Sequence, residues 1–251
     1  MRILSGAWML ALTVLPLLSQ AQDTKKVVKY HQFPEIPQYR EEYSVLKDDR
    51  NIRHGEYKQF DLRAQTPSVA GFYNQGRKDS IWHHYYYGPD QKVQSKGRYR
   101  NDEPVGVWEF YTYQGKLEQQ YDFTRRQLVM NDPDKTNITF RPLASGAPLE
   151  LNPVYIGGFA TVKRLMSQTV RFPVQALRKG VSGTAIIAFT LEADGKTSNY
   201  RVVQSVGYGI EEEVIRVAQV ITAGWLPASV AGRPVAAEVQ MPFEFRSLPS
   251  Q

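Results

Sequence analysis

Few residues in this chain have the types and spacing that chemistry needs. The four histidines are His31, His54, His83 and His84. His83 and His84 adjoin in a stretch that reads as a strand, where successive side chains point to opposite faces, so they do not share a metal. Gly207-x-Gly209 lacks the third glycine of a dinucleotide fingerprint. Gly180-Val181-Ser182-Gly183 lacks the G-x-S-x-G spacing of a nucleophile elbow. The carboxylates Glu211, Glu212 and Glu213 sit in the first turn of an expected helix, where the dipole favours negative charge. Cysteine is absent, which excludes disulfides, thiolate metal sites and a cysteine nucleophile. The reading is a non-enzymatic protein with no catalytic residue, no metal and no cofactor. The remaining candidates are aromatic. Trp82, Tyr85, Trp108 and Tyr111 would form a binding platform if their rings were exposed, and would otherwise pack hairpin on hairpin.

Those aromatics belong to a repeat. Gly55-x-Tyr57-x-x-Phe60 is matched by Ser80-x-Trp82-x-x-Tyr85 and by Gly106-x-Trp108-x-x-Tyr111. Gly71-x-Tyr73-x-x-Gly76 and Gly97-x-Tyr99 precede the latter two. A fixed period signals stacked supersecondary units. Short aromatic runs bounded by glycine read as β-hairpins, with Gly76, Gly115 and Asn101-Asp102 supplying positive φ in turns. In "GVWEFYTY", Val107, Glu109, Tyr111 and Tyr113 fall on one face, and Trp108, Phe110 and Thr112 on the other. The pattern resembles the bacterial form of the MORN repeat over about 75 residues, with Ser80 and Asp102 in place of glycines. That resemblance implies a curved hairpin sheet used as a scaffold and names no chemistry.

The chain's 251 residues divide by texture. Residues 1–21 have one positive charge at Arg2, an apolar run from Ile3 to Leu18 broken by Pro16, and small residues at Ser19 and Ala21. This is the shape of a secretory signal peptide cut after Ala21. An uncleaved anchor is the alternative, although the run is short against the roughly 20 residues that span a bilayer. Residues 22–49 read as a polar, extended lead-in, 50–123 as the hairpin repeats, 124–153 as a proline-rich linker, and 154–251 as a second domain. Lys plus Arg exceed Asp plus Glu, 31 against 25. The excess is mild and spread without a basic block, so it does not point to nucleic acid.

The second domain reads as helix, strand, strand, helix, strand. Val162, Leu165, Met166 and Thr169 have helical spacing, and a short helix follows Pro173 and closes at Gly180. "GTAIIAFTL" is apolar on both faces, as a buried strand is, and Asp194-Gly195 turns it into "KTSNYRVVQSV". Ile210, Val214, Val217, Ala218 and Ile221 make one apolar helical face. Val235 to Phe245 alternates. Its Pro242 cannot donate to a neighbour, which places the strand at a sheet edge.

Here the chain resembles the TonB C-terminal domain family, on Phe172-Pro173 with Ala176, Gly180-Val181-x-Gly183, Phe189, Asp194-Gly195, Ser205, Trp225-x-Pro227-Ala228, Gly232-x-Pro234-Val235 and Pro242-x-x-Phe245. The resemblance implies an α+β fold, with a three-stranded antiparallel sheet backed by helices, in the periplasm. It implies a partner too: a TonB-dependent outer-membrane receptor, whose N-terminal segment adds as a strand to the sheet edge. The edge expected to take it is Val235, Ala236, Ala237, Glu238, Val239, Gln240 and Met241. The competing expectation is that this edge is solvated or covered by the preceding domain. Other envelope proteins, or a second copy of the chain as a homodimer, would also satisfy it. The family's Pro-rich spacer is replaced here by the repeat domain, so peptide gripping carries over better than energy transduction. Partnership with inner-membrane motor proteins requires the N-terminal run to remain as an anchor. A scaffold binding glycan or lipid through the aromatic repeats is the third reading.

Overall fold

The computed structural model describes residues 23–32, 38–61, 66–133, 137–143 and 148–247. The expected leader lies outside the described residues. Among them, no helix is long and apolar enough to cross a membrane.

The first module is a nine-stranded antiparallel meander in which each strand pairs with the next. Its strands are β1 (Thr24–His31), β2 (Tyr39–Leu46), β3 (Arg53–Asp61), β4 (Val69–Asn74), β5 (Arg77–Tyr85), β6 (Val93–Arg100), β7 (Glu103–Tyr111), β8 (Leu117–Asp122) and β9 (Gln127–Asn131). Two expectations are corrected. The lead-in supplies the hairpin β1–β2, and the first part of the linker supplies β9. The lead-in is polar, and a sheet with one solvated face accepts such strands once a neighbour offers a ladder; β9 carries Leu128, Val129 and Met130 but is only five residues long.

The repeat has a specific physical content. The Trp82 indole lies flat on Gly71 of the neighbouring strand, where a Cβ would come within 2.1 Å of Trp82 Cδ2. Trp108 lies on Gly97 in the same way, with 2.2 Å to its Cδ2. Each indole N–H then reaches a carbonyl ten residues back, Trp82 Nε1 to Phe72 O at 3.2 Å and Trp108 Nε1 to Arg98 O at 3.2 Å. The motif's leading position needs a left-handed residue, with φ +107° at Gly55, +61° at Ser80 and +64° at Gly106. Tyr73, Trp82, Tyr99, Trp108 and Phe123 follow one another edge to face across the strands, with centroids 5.0–5.8 Å apart. Such pairs contribute about 0.5–1.5 kcal/mol each beyond area burial. At the first repeat Tyr57 takes the tryptophan position. Its hydroxyl donates to buried Glu41 at 2.7 Å, and Glu41 also accepts from Arg53 and contacts His31.

The second module begins with β10 (Thr139–Pro142) and β11 (Val154–Tyr155), then α1 (Gly158–Thr169) and α2 (Val174–Arg178). There follow β12 (Gly183–Leu191), β13 (Thr197–Gln204), α3 (Ile210–Val220), β14 (Trp225–Leu226), β15 (Ala228–Val230), β16 (Arg233–Val235) and β17 (Ala237–Phe245). The main sheet has four strands in the order β10-β17-β12-β13, not three. The inner rows of β12 and β17 meet Phe159 and Val162 of α1 and Ile210, Val214 and Val217 of α3 in one core. α1, α2, α3, β12 and β13 follow the sequence reading, whereas the short strands β11, β14, β15 and β16 were not expected and the last strand begins at Ala237 instead of Val235.

Candidate functional site

The strand expected at the edge, β17, pairs along its full length with β12, from Ala237 opposite Leu191 to Phe245 opposite Gly183. Ala237, Val239, Met241, Phe243 and Phe245 are buried under the helices, while Glu238, Gln240, Pro242 and Glu244 stay partly or fully open. On its other side β17 is flanked by β10. Thr139 faces Gln240, Phe140 faces Val239, Arg141 faces Glu238 and Pro142 faces Ala237. The Leu143 N–H reaches Ala236 O at 3.5 Å, one step further in the same register. That contact sets the alternation, so Arg141–Glu238 and Thr139–Gln240 are the hydrogen-bonded pairs. Pro142 falls at a non-bonded position, where no donor is needed. Pro242 turns its missing N–H away from β12 and lies past the end of β10. The proline argument therefore holds locally, but the strand is not an open edge between Ala237 and Gln240. The cover is β10, from the stretch expected to be a linker, and not the preceding domain that the competing expectation named.

The seven edge residues are not equivalent. Val235 ends β16 and pairs with Ala228. Ala236 links β16 to β17, and Met241 lies beyond the last β10 pair. On the open face, Glu238 forms an ion pair with Arg201 of β13 and accepts from Gln240 Nε2 at 2.7 Å. The Gln240 bond, and then Arg201 and Arg141, hold its carboxyl below the usual carboxylate range against the opposing effect of burial.

β10 is a slight element. Thr139, Arg141 and Pro142 are exposed, and Phe140 is half-buried. Two side chains hold it from below. Phe140 stacks on Phe159 of α1 with centroids 6.0 Å apart, and Ile138, just before the strand, belongs to the buried core. The opposite edge of the sheet, β13, is kinked. Its pairing with β12 shifts register twice and Asn199 has φ +52°. Bulges of this kind blunt an edge against further pairing.

The platform residues are not brought together. Trp82 and Trp108 are 1% and 4% exposed, with their faces used on Gly71 and Gly97. Tyr85 stacks on His83, and Tyr111 donates to Glu109 Oε2 at 2.6 Å, both on the other face of the sheet. That face carries a groove of about 770 Å³ lined by Ile81, His83, Lys96, Arg98, Arg100 and Val107 among others. His84 is half-buried on the tryptophan side. Burial first, then Lys78, Arg164 and His83, push its pKa down to about 4. Among the described residues, no group of three or more His, Asp or Glu is placed to hold a metal ion.

The sequence reading missed Glu118 and Gln119, which join the two modules. Both are on β8 and fully buried. Glu118 Oε1 accepts the Phe159 N–H at 2.8 Å, and its two oxygens accept the Ala160 N–H at 3.3 and 3.2 Å. Gln119 Oε1 accepts the Gly157 N–H at 2.7 Å, and its Nε2 donates to Tyr155 O at 3.0 Å. A side chain 41 positions away thus caps α1, which has no cap of its own. Gly158 leaves the space for it, since a Cβ there would lie 2.6 Å from Glu118 Cδ. The available signal was Gly157-Gly158 opening a helix without a Ser, Thr, Asp or Asn cap.

Residues 168–247 match the family model of the Gram-negative bacterial TonB protein C-terminal. The match covers α2, α3 and the strands β12 to β17, and leaves the nine-stranded sheet outside. Two NMR solution structures of the Helicobacter pylori TonB C-terminal domain are similar at 19% and 18% identity, over 37% of this chain and 82% and 96% of those chains. Their TM-scores are 0.30 and 0.29. No curated protein matches the chain.

Proposed function

We propose that this is a non-enzymatic, exported protein of the Gram-negative periplasm. Its C-terminal domain binds N-terminal segments of TonB-dependent outer-membrane receptors by strand addition along Val235–Met241. The nine-stranded sheet serves as a MORN-type scaffold that carries this domain and supports TonB-dependent transport. The observation behind the reading is the family match at residues 168–247, which coincides with a sheet whose outer edge is held by only four residues. An incoming strand exchanges with β10 rather than finding a vacant ladder.

The energetics permit exchange. Two bonded pairs provide roughly four backbone hydrogen bonds at about 1 kcal/mol net each. Burying Ile138 and part of Phe140 adds about 3 kcal/mol. Ordering five residues costs about 1–2 kcal/mol apiece. The sum lies within a few kcal/mol of zero, so a modestly better segment displaces β10.

The test is retention of the full chain on immobilised synthetic N-terminal segments of outer-membrane receptors, followed by NMR. Retention with shifted amides at Glu238 and Gln240 supports the reading. No retention on any segment, with those amides unmoved, refutes it. The anchored, motor-coupled alternative predicts residues 1–21 in the intact mass of the exported chain. The glycan- or lipid-binding scaffold draws support from the basic and apolar groove at Ile81, Arg98, Arg100 and Val107, not from the buried tryptophans.

A further inference from the structure

We infer that β10 is a resident copy of the ligand: the β17 edge selects an extended segment that reads apolar–polar–apolar–basic, as Ile138-Thr139-Phe140-Arg141 does, and binds it only when β10 leaves. This rests on the reading that β17 accepts a foreign strand, and it specifies which strand and how access is controlled.

Each position follows from a contact. The first apolar residue takes the place of Ile138 in the core between sheet and helices. The second replaces Phe140, which stacks on Phe159 and faces Val239. The residue between them points to solvent, as exposed Thr139 does, and so tolerates any polar type. The last falls opposite Glu238, whose carboxylate also pairs with Arg201, so a cation is favoured and a carboxylate is repelled. A proline is acceptable next, because Pro142 occupies a position with no donor in the ladder. Two side chains at i and i+2 give specificity, and the backbone gives affinity, as in other strand-addition sites.

Control comes from the tether. β10 is part of the same chain and competes at an effective concentration on the order of millimolar. A free segment with identical contacts therefore binds weakly until β10 is weakened or outcompeted. The β13 edge offers no second route, since its bulge at Asn199 breaks a regular ladder.

The probe is a fluorescent peptide of residues 137–143, NITFRPL, titrated into the full chain. Three forms are compared: the unaltered protein, Phe140→Ser, and Thr139→Cys with Gln240→Cys. The facing pair Thr139–Gln240 is hydrogen-bonded, with a Cα separation of about 5.5 Å, inside the roughly 4.4–6.8 Å that a disulfide bridges. The chain has no other cysteine to misbridge. Phe140→Ser is expected to bind the peptide at least about tenfold more tightly than the unaltered protein. The oxidised cysteine pair should bind none, and reduction should restore the unaltered value. A peptide with serine at the Phe140 position, or glutamate at the Arg141 position, should bind no form. Equal binding to the oxidised and reduced pair overturns the inference, and that arm does not depend on how Phe140→Ser folds. Capture of receptor segments by the oxidised pair would sink the inference together with exchange at β17, and would leave receptor binding standing only at another surface. Peptide exchange without capture of any receptor segment would do the reverse.

Discussion

Replacing Glu118 with alanine should uncouple the two modules, and the structure sets the size of the effect. The carboxylate is 1% exposed and accepts the first free N–H groups of α1, from Phe159 at 2.8 Å and Ala160 at 3.2 Å. Hydrogen bonds to a charged group contribute about 1.5–3 kcal/mol each. The Ala160 bond is shared between two oxygens and is the weaker one. Both amides would be left in a buried seat that water enters poorly, so the expected loss is about 3 kcal/mol. For a chain of this size that is a fall of about 6–12 °C in Tm. Glu118→Gln keeps an acceptor oxygen but removes the charge facing the helix dipole, and should cost about 1 kcal/mol. Calorimetry measures the loss, and amide exchange at Phe159 and Ala160 localises it. A loss under about 1 kcal/mol for Glu118→Ala, with exchange at those two amides unchanged, would refute the assignment of Glu118 as the α1 cap.

Gly97→Ala should push Trp108 off its seat and break its bond to Arg98 O. A loss of about 2–3 kcal/mol, with a red-shifted tryptophan emission, is expected. Gly115→Ala, where an added Cβ meets nothing within 4 Å, pays only for its φ of +88° and leaves that emission in place. His84 makes stability pH-dependent. Its folded pKa is lowered to about 4 from 6.5, so the unfolded chain takes up a proton first and stability falls as pH drops from about 6.5 to about 4, by about 3 kcal/mol in all. Denaturant titrations across that range should flatten in His84→Gln. Glu211 acts lower. Burial opposes its charge, but Ser205 and the Val206 and Gly207 amides outweigh it and hold the carboxyl at about 2. Its contribution is present above about pH 4.5 and is lost as pH falls toward 2. Glu211→Gln should remove that acid limb while sparing the His84 limb.

Much of this fold was legible because its determinants are local. The Gly71–Trp82 and Gly97–Trp108 pairs recur at one spacing, and a flat indole on a neighbouring strand admits only glycine beneath it. The apolar faces of α1 and α3 and the alternation of β17 likewise sit in contiguous residues. What was missed depends on long-range partners. β1 and β2 are polar segments whose strand character is conferred by their neighbours, and β9 is a five-residue run beside a proline-rich stretch. β10 is four residues long, and one of them is a proline that usually marks a linker. Its place beside β17 follows from where Ile138 and Phe140 find a core, not from their own pattern. Nothing in the residues around Glu118 marks it, because its role lies 41 positions downstream. The four-residue aromatic platform failed for a related reason. Spacing showed that Trp82 and Trp108 repeat, but not that each ring is consumed by the next strand.

A photo-crosslinking residue at Gln240, in the full chain expressed in Gram-negative cells, tests the central claim most directly. This position faces β10 and keeps a half-exposed side chain. Two adducts are expected, one to the chain's own residues 137–143 and one to the N-terminal segment of an outer-membrane receptor, the second growing when Phe140→Ser weakens the first. Adducts to residues 137–143 alone, in both the unaltered and the Phe140→Ser protein, would contradict strand exchange at β17.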